Sequence, residues 1–215
     1  GLITSAFGQN VTLSKAPNVI IIFADDMGYG DISALNPDSR IQTPNLDKMV
    51  QEGISFTNAH SSASVCTPSR YGLLTGRYAF RSKSAASGIG GFDGPVIEAG
   101  RETLASLLKR SGYATAIVGK WHLGHLPDFL PTKHGFDEFC GIPYSHDMWP
   151  NHPVTKNYYP ELPLIEGENT IQTNPDQTQF TTSFTEKTID FIKRKKDKPF
   201  FVYLAHPMPH VPLAV

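Results

Sequence analysis

Hydrophobic positions in this chain fall into two alternating patterns: short unbroken apolar runs, and longer stretches with apolar residues at helical spacing. Asn18-Val19-Ile20-Ile21-Ile22-Phe23-Ala24 is a continuous β-branched run, which predicts a strand buried on both faces. Ala114-Thr115-Ala116-Ile117-Val118-Gly119 and Phe200-Phe201-Val202-Tyr203-Leu204-Ala205 predict two more. Between them lie helical signals. Thr43-Pro44 opens a helix from Asn45 to Gln51, closed by Gly53, with Leu46, Met49 and Val50 as a core-facing stripe. In Thr67-Pro68-Ser69-Arg70-Tyr71-Gly72-Leu73-Leu74-Thr75-Gly76, Thr67 reads as the N-cap, Pro68 as the first helical residue and Gly76 as the stop. Thr103 to Arg110 carries Leu104, Leu107 and Leu108 on one side. Phe180 to Lys196 carries Phe184, Ile189 and Ile192, and its Lys193-Arg194-Lys195-Lys196 end reads as a solvated last turn. Ile54 to His60 alternates and predicts a short strand, while residues 79–101 and 148–180 read as long loops. Strands alternating with helices indicate an α/β fold with a largely parallel sheet.

Polar residues recur where the apolar runs end. Asp25 and Asp26 follow the first, Lys120 and His122 the second, and His206 and His210 the third. In open α/β sheets the ligand sits at those carboxyl ends, so three separate segments converge on one place. Each residue alone has two readings. The Asp pair is either a solvated Asx turn or a hard-cation site for Ca²⁺ or Mg²⁺. Lys120 and His122 are ordinary loop residues or site residues, and two positions apart in extended chain both could point to one side. Cys66, placed just outside a helix N-terminus with Arg70 one turn in, is a small buried filler or a nucleophile in positive potential. His60 reads as structural.

Composition narrows the class. The 215 residues carry a formal charge of −1, which gives no electrostatic case for nucleic acid or a membrane surface. Two cysteines, Cys66 and Cys140, make no disulfide framework, and both are read as unpaired. No run of 18 apolar residues exists. Residues 1–16 read as an arm or the remnant of a signal peptide, and 17–215 as one unit. With the Asn10-Val11-Thr12 sequon, the N-terminal stretch leans toward an exported protein. Two carboxylates for a divalent cation beside Arg, Lys and His describe a site for an oxyanion ester, in which cations neutralise the non-bridging oxygens and a histidine protonates the leaving oxygen. Sulfate and phosphate esters both fit.

Cys66-Thr67-Pro68-Ser69-Arg70 followed by Leu73-Leu74-Thr75-Gly76-Arg77 resembles the signature of the type I sulfatases. Gly112 through Gly124, with Gly119-Lys120-Trp121-His122-Leu123-Gly124 at its core, resembles their second signature. The segments His134–Phe139 and Gly141–Asp147 are similar to stretches of the arylsulfatase A and N-acetylgalactosamine-6-sulfatase branch. The resemblance implies an alkaline-phosphatase-superfamily sandwich of sheet and flanking helices, and a sulfuric ester hydrolase acting on a sulfated carbohydrate. It implies that Cys66 is oxidised by a maturating enzyme to Cα-formylglycine, whose hydrate supplies the nucleophile, and that Asp25, Asp26 and position 66 hold Ca²⁺. It assigns Arg70 and Lys120 to stabilising formylglycine and sulfate, and His122 to taking a proton as sulfate leaves. It further assigns His210 to protonating the bridging oxygen, with Ser145 and His206 as substrate contacts. A later Asp-Asn-Gly segment and a later lysine of the family are not among the 215 residues, so the chain reads as the N-terminal part of a longer sulfatase. The alternatives are a phosphonate or phosphate ester hydrolase of the same superfamily, and an incomplete non-catalytic chain.

Overall fold

Four parallel strands position everything that follows. The computed structural model describes residues 16–82 and 94–214; the expectations for the N-terminal arm, the Asn10 sequon and the middle of the 79–101 loop lie outside them. The strands are β1 (Val19–Ala24), β2 (Ala114–Lys120), β3 (Glu138–Ile142), β4 (Pro163–Glu166), β5 (Asn169–Thr173) and β6 (Phe200–His206), in the sheet order β1-β6-β2-β3-β4-β5. The first four in that order run parallel, and β4 and β5 add an antiparallel hairpin. Register aligns the carboxyl ends: Ala24 pairs with His206, Gly119 with Ala205, and Lys120 with Ile142. Whatever follows these strands is therefore delivered to one edge.

Alternate residues of β2 and β6 face opposite layers. Ile117, Phe201, Tyr203 and Ala205 pack with Tyr71 and Leu74 of helix α2 (Cys66–Thr75) and Ala105 of α3 (Leu104–Arg110). Ala116, Val202 and Leu204 face helix α4 (Phe180–Lys195), which contributes Phe184 and Phe191. All seven residues of β2 are buried. Burying each large side chain contributes roughly 1.5–3 kcal/mol relative to leaving it in water.

Several expectations are corrected. β1 is not buried on both faces. Val19, Ile21 and Phe23 pack on the core, but Ile20 and Ile22 are 48% and 58% exposed, because α4 covers β6 and β2 and stops short of this edge strand. Helix α1 (Pro44–Glu52) forms with Thr43 at its N-cap, yet Met49 of its apolar stripe stays exposed. Ile54 to His60 forms no strand; its residues are exposed, and His60 bonds to nearby Asn58. The described part of the 79–101 loop is not all surface, since Val96 and Ile97 are buried in the core. The 148–180 stretch contains the β4–β5 hairpin, turned by Gly167 at φ +65°. The basic end of α4 is not simply solvated: Arg194 forks onto Glu138 at 2.7 and 3.0 Å, and Lys195 reaches the same carboxylate.

The helix behind the cysteine also differs in detail. Val65 is the N-cap, so Cys66 is the first helical residue and Thr67 and Pro68 occupy the next two places. The hydroxyl of Thr67 does not cap; it donates to the carbonyl of His122 at 3.3 Å, tying the helix start to the loop after β2. The stop is as expected, with Gly76 at φ +66° donating its N–H to Gly72 O.

Candidate active site

The carboxyl edge of the parallel strands holds a buried ionic cluster. Asp25 follows β1 and is 3% exposed; Lys120 ends β2 and Arg70 sits one turn into α2, both fully buried. The Asp25 carboxylate receives Lys120 Nζ directly and lies 3.5 Å from Arg70 Nη2. Arg70 Nη1 donates to the Lys120 carbonyl at 2.6 Å and to Tyr203 Oη at 3.4 Å, and the guanidinium lies 5.2 Å from the Phe23 ring centre. Lys120 Nζ also donates to Ser145 Oγ at 2.9 Å. Five segments distant in sequence thus share one hydrogen-bonded network.

Burial alone raises a carboxyl pKa, but Lys120 and Arg70 outweigh it, and Asp25 is held below the ordinary carboxylate range. On Lys120, burial and the neighbouring Arg70 push downward while Asp25 pulls back. Arg70 keeps Nε and Nη2 without hydrogen-bond acceptors despite full burial. A buried guanidinium with donors to spare can bind an oxyanion, and a cavity opens beside Asp25, the carboxylate that Arg70 faces.

That cavity, of about 300 Å³, is lined by Asp25, Asp26, Cys66 and Ser69 among others. Cys66 is partly buried and Cys140 buried, and both are unpaired. Two backbones at this edge are strained: Asp26 at φ +63° and His122 at φ +60°. Left-handed non-glycine residues cost of order 1–3 kcal/mol and collect at functional sites. The turn at His122 also ends the extended chain, so Lys120 and His122 do not share one side by strand alternation.

The remaining sequence candidates separate. His210 joins the group: its Nε2 lies 3.5 Å from Asp26 Oδ2, and its ring meets that of His146 edge-on at 5.4 Å. His206 ends β6 with Nδ1 lacking a partner, and burial lowers its pKa, but no polar contact joins it to the Asp25 cluster. His146 and Asp147 were not singled out from sequence, although they directly follow Ser145 in chain order. Both now stand beside His210. The donors facing the cavity from Asp25 and Asp26 are carboxylate oxygens, the ligand type of a hard divalent cation.

The Sulfatase family profile matches residues 17–215. The chain is 39% identical to human arylsulfatase G over 95% of its length, covering 43% of that protein. It is 38% identical to human N-acetylgalactosamine-6-sulfatase over 93% of its length, covering 40% of it. A solved structure described with the metabolism of multiple glycosaminoglycans by Bacteroides thetaiotaomicron superposes with a TM-score of 0.77 at 29% identity, over 94% of this chain and 53% of that one. The chain thus spans less than half the length of these two curated relatives. No helix among the described residues is long and apolar enough to cross a membrane. Matches of this extent, with both signature segments at the carboxyl edge of one parallel sheet, place this chain in the sulfatase family.

Proposed function

We propose that this chain carries the nucleophile side of a sulfuric ester hydrolase site, and that the protein removes sulfate from a sulfated carbohydrate. The observation that supports the reading best is the Asp25–Arg70–Lys120–Ser145 network beside Cys66. Arg70 and Lys120 present fixed positive charge to the sulfate oxygens, and such preorganised charge in a buried site stabilises a developing oxyanion without reorganisation. Ser145 orients Lys120. His210 delivers a proton to the bridging oxygen, and Asp26 steadies its ring. His122 takes a proton as sulfate leaves.

Two groups are implied by the family. The first helical position suits a modified residue 66, since the helix N-terminus favours an anion there. When present, formylglycine at that position supplies the nucleophile. A divalent cation, which neutralises charge on the sulfate, fits the donor chemistry of Asp25 and Asp26, with Ca²⁺ favoured and Mg²⁺ the second choice. Two carboxylates offer at most four oxygens, fewer than the six to eight that Ca²⁺ takes, so they form one side of its shell. Relatives named for arylsulfate and N-acetylgalactosamine-6-sulfate cleavage support a sulfated sugar substrate. The N-terminal stretch supports export, and a maturating enzyme is the partner that position 66 requires.

The test is turnover of an aryl sulfate against the matching aryl phosphonate by the full-length matured protein. Sulfate hydrolysis is expected to be the faster. Faster phosphonate hydrolysis would overturn the assignment.

A further inference from the structure

The structure places a second donor cluster next to the ionic one. One donor atom from each of His146, Asp147 and His210 lies within 4.8 Å of the others. His146 is fully buried, yet its Nδ1 has no hydrogen-bond partner, and neither does the buried Oδ1 of Asp147. Leaving such groups unmatched costs about 1–3 kcal/mol each.

Tautomers follow from the acceptors. His146 Nε2 lies 3.1 Å from the carbonyl of Pro212. A carbonyl oxygen only accepts, so Nε2 carries the hydrogen and Nδ1 keeps its lone pair. His210 Nδ1 lies 2.6 Å from the carbonyl of Val211, which by the same logic leaves Nε2 bare in the neutral ring. A backbone carbonyl that orients one ring nitrogen while the other stays free is the outer support found behind metal-bound histidines.

We propose that His146, Asp147 and His210 form a binding site for a borderline transition ion such as Zn²⁺, distinct from the hard-cation position at Asp25 and Asp26. Two imidazoles and a carboxylate make a three-ligand set with open positions, and imidazole selects Zn²⁺-type ions over Ca²⁺ or Mg²⁺. At Zn–N lengths, tetrahedral donors stand roughly 3.3 Å apart, so the partly exposed Asp147 and His210 draw in by at most about 1.5 Å. Ion binding satisfies both orphaned atoms and takes His210 Nε2 from its 3.5 Å contact with Asp26. The binding site stands apart from the sulfatase reading. Its consequence, inhibition by occupation of the proton-donating nitrogen, rests on that reading.

The probe is Co²⁺, whose visible absorption reports low-coordinate nitrogen and oxygen ligation. Titration into the metal-free protein, in the presence of excess Ca²⁺, is expected to saturate at one equivalent. Asp147→Asn and His210→Gln each remove a ligand and are expected to weaken Co²⁺ by more than the roughly 10–100-fold lost with an outer-shell partner, while circular dichroism stays unchanged. His210→Gln is the safer variant because its ring is partly exposed. Absence of saturable absorption in excess Ca²⁺ would overturn the site, and so would equal affinity in a folded His210→Gln variant. Binding without inhibition would leave the site standing and count against His210 as the acid.

Discussion

Asp25 is the one negative charge in a buried group with two positive ones, so its removal and that of Lys120 should have unequal effects. At 3.5 Å and an effective dielectric of about 20, the Arg70–Asp25 attraction alone is about 5 kcal/mol before desolvation. Lys120 makes a closer contact to the same carboxylate. Asp25→Asn removes both attractions and leaves two buried cations facing each other, with net charge rising from +1 to +2. Lys120→Met lowers it from +1 to 0, and the Lys120 carbonyl that receives Arg70 is backbone and survives. Removing one partner of a buried pair costs about 3–5 kcal/mol because the other charge is left uncompensated; Asp25→Asn does this to two cations, whereas after Lys120→Met the Asp25 carboxylate still faces Arg70. Urea unfolding in EDTA is expected to show Asp25→Asn destabilised by about 3–5 kcal/mol and Lys120→Met by clearly less, since one cation still compensates the carboxylate. A folded Lys120→Met as damaged as Asp25→Asn would refute the net-charge reasoning.

Two other outcomes follow from the packing. Gly119 sits at φ +110° directly before Lys120, and a Cβ there would lie 2.1 Å from the carbonyl oxygen of Ala205, so Gly119→Ala should lower the urea-derived stability by about 2 kcal/mol or more; a loss below half of that would show that the strand shifts freely. His134, stacked on Trp121 at 5.7 Å with Nε2 unpartnered, has a pKa that burial lowers from 6.5 to about 4. Because the unfolded chain binds the proton first on acidification, the stability this ring contributes is complete above pH 6.5. It is lost as pH falls toward 4, by about 3 kcal/mol. His134→Phe should flatten stability against pH in that window, and an unchanged slope would place the titration elsewhere.

Much of the edge was legible because apolar runs end in chemistry. Asp25, Lys120 and His206 each close a strand, and parallel pairing brings those ends together whatever the loops do. Cys66 with Arg70 was legible from helix punctuation, though the cap moved from Thr67 to Val65 because the Thr67 hydroxyl is spent on the His122 carbonyl. Burial of β1 was misread because an unbroken Ile run does not reveal that α4 stops before the edge strand. The β4–β5 hairpin was hidden because its strands are short and β5 is wholly exposed, leaving no alternation to detect. The His146–Asp147–His210 group escaped for a different reason. Its members are 64 positions apart at the extremes, and only the fold sets the Pro212 and Val211 carbonyls that choose their tautomers.

The central claim is that residue 66 acts as formylglycine and not as cysteine. Mass analysis of the peptide containing Cys66, taken from protein co-expressed with a maturating enzyme and assayed in parallel for aryl sulfate turnover, tests it most directly. Loss of the thiol with gain of an aldehyde, in a fraction that tracks activity and vanishes in Cys66→Ala, is the expected result. Full turnover from protein whose Cys66 thiol is intact would contradict it.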